Sequence, residues 1–172
     1  MLGHLGSSLA FAGNGRPLAT DPRVDVSITH SRDVGVVAVA RMCLVGVDLE
    51  AGRWLWDESL ARRACTERES KFLSTTLIPS RNLCLKTLWT RKEACLKLLG
   101  VGLSMPPSRV DVLDDRAVLL GRRPEHHSRI MTSRIHLHSW RLDGTVLTVA
   151  TTVKDPTMSL PGPFRSIRMV DG

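Results

Sequence analysis

The sequence contains no tyrosine, and only three Phe and four Trp stand among its 172 residues. A core with so few rings must rest on Val, Leu, Ile and Ala, and the paired surface aromatics of an RNA-recognition module are not to be found. Cysteine occurs four times (Cys43, Cys65, Cys84, Cys95) without any Cys-x-x-Cys spacing. That excludes a disulfide scaffold and a Cys/His finger, and it predicts reduced thiols in a cytoplasmic protein. The longest apolar run, Val34 to Ala40 with Gly35 inside it, is far shorter than the roughly 20 residues of a membrane helix. Leu9-Ala10-Phe11-Ala12 is faintly like a signal-peptide end, yet no Lys or Arg precedes Arg16, so the basic leader region is absent. Lysine is also scarce, at five against nineteen Arg.

What is present is an ordinary globular balance, with 42% hydrophobic and 24% charged residues and a net charge of +7. The Arg bias supplies forked donors suited to phosphate and carboxylate, so the expected partners are anionic. The Arg residues are scattered, and no helix-turn-helix pattern accompanies them, which argues against nucleic acid as the partner.

Residues 1–23, rich in Gly, Ser, Ala and Pro, predict a loop-like entry segment. From Asp25 the β-branched runs around Val26-Ile28, Val34–Ala40 and Cys43–Val47 predict three strands of an antiparallel meander. Asp57-Glu58-Ser59 opens a helical pattern, and Thr66-x-x-Glu69 has the form of a capping box, so 57–76 is expected to be helical with a break. The clearest helix runs from about Asn82 to Leu99, with Gly100 placed to end it. Its apolar stripe carries Leu85, Leu88, Trp89, Cys95, Leu96 and Leu99; Lys86, Thr90, Glu93 and Lys97 share the opposite one. Strands follow at 109–113, 117–120, 134–142 and 145–153, and 154–172 is expected to be a loose tail. Strands, then helices, then strands make an α+β fold.

Asp48 and Glu50 end a strand pattern two residues apart, so they share a face and repel unless a cation compensates. Such a pair is a hard-oxygen site suited to Mg²⁺; its alternative is a solvated strand end. Glu93 and Lys97 are four apart on the helix, a spacing that also makes a plain surface ion pair. Thr29-His30-Ser31 sets a His between hydroxyls at a strand end, able to donate to a phosphate or to close a turn. His136 and His138 share a strand face without a third ligand, and His126-His127 is expected to be solvated surface.

In order, Gly15-Arg16-Pro17, Thr29-His30-Ser31, Gly46-Val47-Asp48-Leu49-Glu50 and Trp89-Thr90-Arg91-Lys92-Glu93-Ala94-x-x-Lys97, followed by Gly100-Val101-Gly102-Leu103-Ser104, resemble the 4′-phosphopantetheinyl transferases. The match is most similar to the surfactin-synthetase-activating type and runs from about Arg16 to Val153. The resemblance implies transfer of phosphopantetheine from coenzyme A to a serine of an acyl or peptidyl carrier protein, releasing 3′,5′-ADP. It implies Mg²⁺ on Asp48, Glu50 and Glu93, with Glu93 also the base for the serine proton. Lys92 and Lys97 are implied at the pyrophosphate, Lys97 as partner of the leaving group. Thr29, His30 and Arg16 are implied at coenzyme A phosphates, with Thr and Arg standing where the family has Ser and Lys.

The same resemblance divides the chain into an entry segment (1–23), a transferase domain (24–153) and a tail (154–172). Within the domain, 24–44 is the remnant of a truncated first half of a pseudo-twofold fold, and 45–153 is the second half. The shortened half is expected to mean a trimmed fold, a piece of a larger synthase, or a homo-oligomer. The competing functions are a non-catalytic module binding coenzyme A or a carrier protein and, from another class, a basic nucleic-acid-binding domain.

Overall fold

The β-branched alternation that begins at Val24 builds strands because it buries one face and satisfies the backbone sideways. The protein is described by a computed structural model covering residues 10–13, 15–52, 57–121, 134–154, 156–159 and 167–170. Its elements are β1 (Ala10–Phe11), β2 (Pro17–Leu18), β3 (Val24–Ser31), β4 (Val34–Arg41), β5 (Val45–Glu50), α1 (Glu58–Ala64), α2 (Glu67–Thr75) and α3 (Ile78–Leu99). Two short 3-10 turns (Gly102–Ser104, Pro107–Arg109) lead to β6 (Val110–Asp111), β7 (Arg116–Leu119), β8 (Ile135–Leu142), β9 (Thr145–Thr151), β10 (Thr157–Ser159) and β11 (Ile167–Val170). His126 and His127 lie outside the described residues.

One sheet has the order β5-β9-β8-β7-β6, the second β10-β11-β4-β3, and β1 pairs with β2. The α3 helix lies on one face of the five-stranded sheet, where Leu85, Leu88, Cys95, Leu96 and Leu98 share a core with Leu137 and Ala150. On the other face Val45, Val47, Leu49, Leu147 and Val149 pack against Val36, Ala38 and Ala40 of β4. The α1 and α2 side of the helix is covered as well, by Ala61, Cys65 and Leu73. Wrapped from several sides, α3 buries polar residues too, among them Lys86, Thr90 and Lys92.

Two local expectations are met closely. Thr66 and Glu69 form the reciprocal capping box of α2, and Gly100 ends α3 in the left-handed conformation at φ 68°. Two expectations are corrected. The meander stops after β4, because β5 stacks beneath β4 and pairs with β9 instead. The stretch after Lys154 also contributes β10 and β11, and β11 runs parallel to β4. Backbone pairing there needs no side-chain period, which is why the sequence pattern missed it.

β3 and β5 belong to different sheets yet are laced together. Asp25 accepts from the Val45 amide at 2.8 Å, Ser27 Oγ from Val47 at 3.0 Å and Ser31 Oγ from Ala51 at 3.1 Å. Side chains on alternate positions of β3 thus satisfy the outward amides of an edge strand that would otherwise lie open.

Candidate active site

Period two along β5 turns Gly46, Asp48 and Glu50 toward α3. Gly46 lets strand and helix touch. A Cβ built there would sit 2.0 Å from the Ala94 carbonyl oxygen and 2.5 Å from the Leu98 nitrogen. That contact brings Asp48 opposite the Glu93 to Lys97 turn of α3. Lys97 Nζ donates to Asp48 Oδ1 at 2.8 Å, and Thr29 Oγ1 donates to the same oxygen at 3.1 Å.

Two carboxylate oxygens are left over. Asp48 Oδ2 and Glu93 Oε1 are buried with no hydrogen-bond partner. Burial pushes the Asp48 carboxyl above the usual carboxylate range, against the opposing pull of Lys97 and Thr29. Glu93 is raised first by burial and then by the negative charges of Asp48 and, more weakly, Glu50, with Lys97 opposing. Three acids therefore feel one another. Glu50 also faces Lys86, whose ammonium donates to the carbonyls of Gly52 (2.6 Å) and Gly144 (2.5 Å) and whose pKa burial lowers.

Orphaned oxygens of mutually repelling carboxylates are what a divalent cation relieves, and an all-oxygen donor set fits Mg²⁺. Among the described residues no three acids, His or Cys converge tightly enough to complete a metal site by themselves. Mg²⁺ here would take its remaining ligands from water and from a substrate phosphate, as that ion commonly does. Beside Lys97 lies a pocket of about 240 Å³ lined by Arg16, Ser27, Ile28, Lys97, Gly100 and Gly102.

The other expected residues are placed differently. Lys92 is a correction: its ammonium is buried and bonded to Glu69 Oε2 at 2.7 Å, to the Pro107 carbonyl at 3.0 Å and to the Val110 carbonyl. It is unavailable to a pyrophosphate. Glu69 is the residue that sequence reasoning missed; it was visible as a capping residue, but nothing local shows that it also takes the Val112 amide and Lys92. Arg16 lines the pocket, with its fork engaged by both oxygens of Asp25 (2.9 Å) and by the Leu98 carbonyl (3.0 Å). Thr29 is buried and turned to Asp48, whereas the adjacent His30 is exposed. Neighbours on a strand face opposite ways, so the two do not share one ligand surface.

Set against models of known families, residues 44–150 match the 4′-phosphopantetheinyl transferase superfamily. The chain belongs to that superfamily. Its members move phosphopantetheine from coenzyme A to carrier proteins, and the protein is a transferase of the phosphopantetheinyl type. The matched span holds Asp48, Glu50, Glu93 and Lys97 and begins after Arg16, Thr29 and His30. No curated protein matches the sequence. No described helix is long and apolar enough to cross a membrane.

Proposed function

We propose that the protein is a Mg²⁺-dependent phosphopantetheinyl transferase of the surfactin-synthetase-activating type. It moves the 4′-phosphopantetheine arm of coenzyme A to a serine hydroxyl of an acyl or peptidyl carrier protein and releases 3′,5′-ADP. The observation that supports this reading is the pairing of two orphaned, buried carboxylate oxygens, on Asp48 and Glu93, with Lys97, which lines an adjoining pocket.

In the transfer the serine oxygen bonds to the phosphorus of the pantetheine phosphate as that phosphorus parts from the bridging oxygen of the pyrophosphate. Asp48, Glu50 and Glu93 would hold Mg²⁺, which when bound would supply positive charge to offset that gathering on the pyrophosphate. Glu93 takes the serine proton, directly or through a water. Lys97, anchored by Asp48, sits at the pocket side and balances charge on the departing ADP. Arg16 lines the pocket, and the exposed His30 is assigned a donor role toward the coenzyme A phosphates. The +7 charge steers the enzyme toward an acidic carrier. The free thiols of Cys43, Cys65, Cys84 and Cys95 suit the cytoplasm.

We also assign the β3–β4 sheet to the first of two pseudo-symmetric halves and the sheet carrying α3 to the second. Asp25, Ser27, Thr29 and Ser31, reaching from one to the other, support that division.

The test is incubation of the purified protein with apo carrier protein, coenzyme A and Mg²⁺, read by intact mass. A phosphopantetheine increment on the carrier, lost on chelation and restored by Mg²⁺, is expected. Binding of coenzyme A or carrier without any increment would make the protein a non-catalytic module. Salt-sensitive binding of DNA or RNA with no increment would move it to another class.

A further inference from the structure

Three of the side chains along β3 accept from outward amides of β5 and of the residue that follows it at a constant offset: Asp25 from Val45, Ser27 from Val47 and Ser31 from Ala51. The same offset would carry Thr29 to the Leu49 amide. Thr29 breaks the series. Its hydroxyl, on a residue 6% exposed, donates at 3.1 Å to Oδ1 of Asp48, a residue 5% exposed. On the other side the same oxygen receives the Lys97 ammonium at 2.8 Å.

With Oδ1 held from two directions, the plane of the carboxylate is fixed and Oδ2 is the oxygen left without a partner. We propose that Thr29 is a positioning residue for Asp48: it locks the carboxylate so that Oδ2 faces the metal position, and it does not contact coenzyme A phosphate. The inference rests on the metal-dependent transferase reading given above and reassigns the role that the Thr-His-Ser resemblance implies for this residue. It also makes the site a joint property of both sheets, since the lock comes from β3 and the carboxylate from β5.

A hydroxyl in this role must donate to one oxygen and fit a buried space, so Ser can replace it and Val cannot. Groups that orient a metal ligand in this way characteristically change metal affinity by about 10- to 100-fold when removed. A phosphate ligand leaves a different signature, because its loss narrows the preference for coenzyme A over 3′-dephospho-coenzyme A.

The experiment uses the full chain, wild type, Thr29→Val and Thr29→Ser, with two equilibrium readouts that need no turnover. Mn²⁺ binding is followed by electron paramagnetic resonance, and the affinities for coenzyme A and 3′-dephospho-coenzyme A are measured by calorimetry. The expected result is a roughly 10-fold or greater loss of Mn²⁺ affinity in Thr29→Val, recovered in Thr29→Ser, with the ratio of the two coenzyme affinities unchanged. Unchanged Mn²⁺ affinity in Thr29→Val overturns the inference. So does a collapsed preference for coenzyme A over its dephospho form, or a wild type that binds no Mn²⁺. If Thr29→Val does not fold, Thr29→Ala is read against Thr29→Ser by the same criteria. Because both readouts are binding measurements, failure of wild-type transfer would refute the functional reading without deciding this one.

Discussion

Replacing Gly46 by Ala adds one methyl group at the point where β5 crosses α3. The methyl carbon would lie 2.0 Å from the Ala94 carbonyl oxygen, 2.5 Å from the Leu98 nitrogen and 2.9 Å from Leu98 Cβ. Ordinary contact begins near 3.4 Å, so strand and helix must part by about 1.4 Å. Two of the three obstacles are helix backbone, which no rotamer change relieves. Overpacking of this kind costs about 1–3 kcal/mol when side chains can yield, and an unyielding backbone puts Gly46→Ala at about 3 kcal/mol. For a chain of this size that is a fall in melting temperature of roughly 6–12 °C. The same separation stretches the 2.8 Å bond between Lys97 and Asp48 beyond hydrogen-bonding range, so carrier modification should fall with stability. Gly35→Ala is the control. Its added Cβ meets nothing nearer than the Thr29 carbonyl at 3.9 Å, and its effect should stay within about 0.5 kcal/mol. Both variants are measured by urea unfolding and by the carrier assay, with coincidence of fluorescence and circular dichroism transitions as the two-state check. A Gly46→Ala protein as stable and active as Gly35→Ala would refute the claim that this contact sets the site.

Glu93→Gln should abolish transfer while the protein stays folded. In Mg²⁺-free buffer its stability relative to wild type should also depend on pH in a defined direction. Burial raises the Glu93 pKa above its ordinary 4.5, so its contribution to wild-type stability is full below that pH and is lost as pH rises through the folded value. Gln does not titrate, so the variant should gain on wild type from about pH 4.5 upward; urea titrations giving the reverse slope would exclude a raised Glu93. Lys92→Met breaks a buried ion pair and leaves Glu69 charged, which should cost about 3–5 kcal/mol by the same unfolding measurement. Adding Glu69→Gln should recover part of that loss, and a Lys92→Met protein of normal stability with a raised KM for coenzyme A would restore Lys92 to the pyrophosphate.

Much of the site was legible because its spacing is set by local periodicity. Asp48 and Glu50 share a strand face at period two, and Glu93 and Lys97 share a helix face at period 3.6. Those rules hold wherever the elements pack, and the structure does bring Asp48 to Lys97. The capping box at Thr66 and Glu69 and the Gly100 stop are equally local, and both form. Local rules do not say which cation goes to which anion. Lys92 and Lys97 stand on the same helix, five residues apart, yet one is locked to Glu69 and the other faces Asp48. Arg16, placed by sequence at a phosphate, has its fork around Asp25.

By itself the sequence determined the central strands and helices, though not β1, β2, β10 or β11, together with the order of the acidic and basic motifs and the family they resemble, because each follows from nearest neighbours along the chain. The tertiary structure alone decided that β5 leaves β4 for β9, that the side chains of β3 close the open edge of β5, and that Thr29 ends on Asp48. It decided too that Gly46, an ordinary strand glycine by sequence, is the contact through which a helix and a strand hold their charges at one place. These are long-range pairings. They depend on which desolvated donors and acceptors meet once the core has closed, and no window of the chain contains both partners.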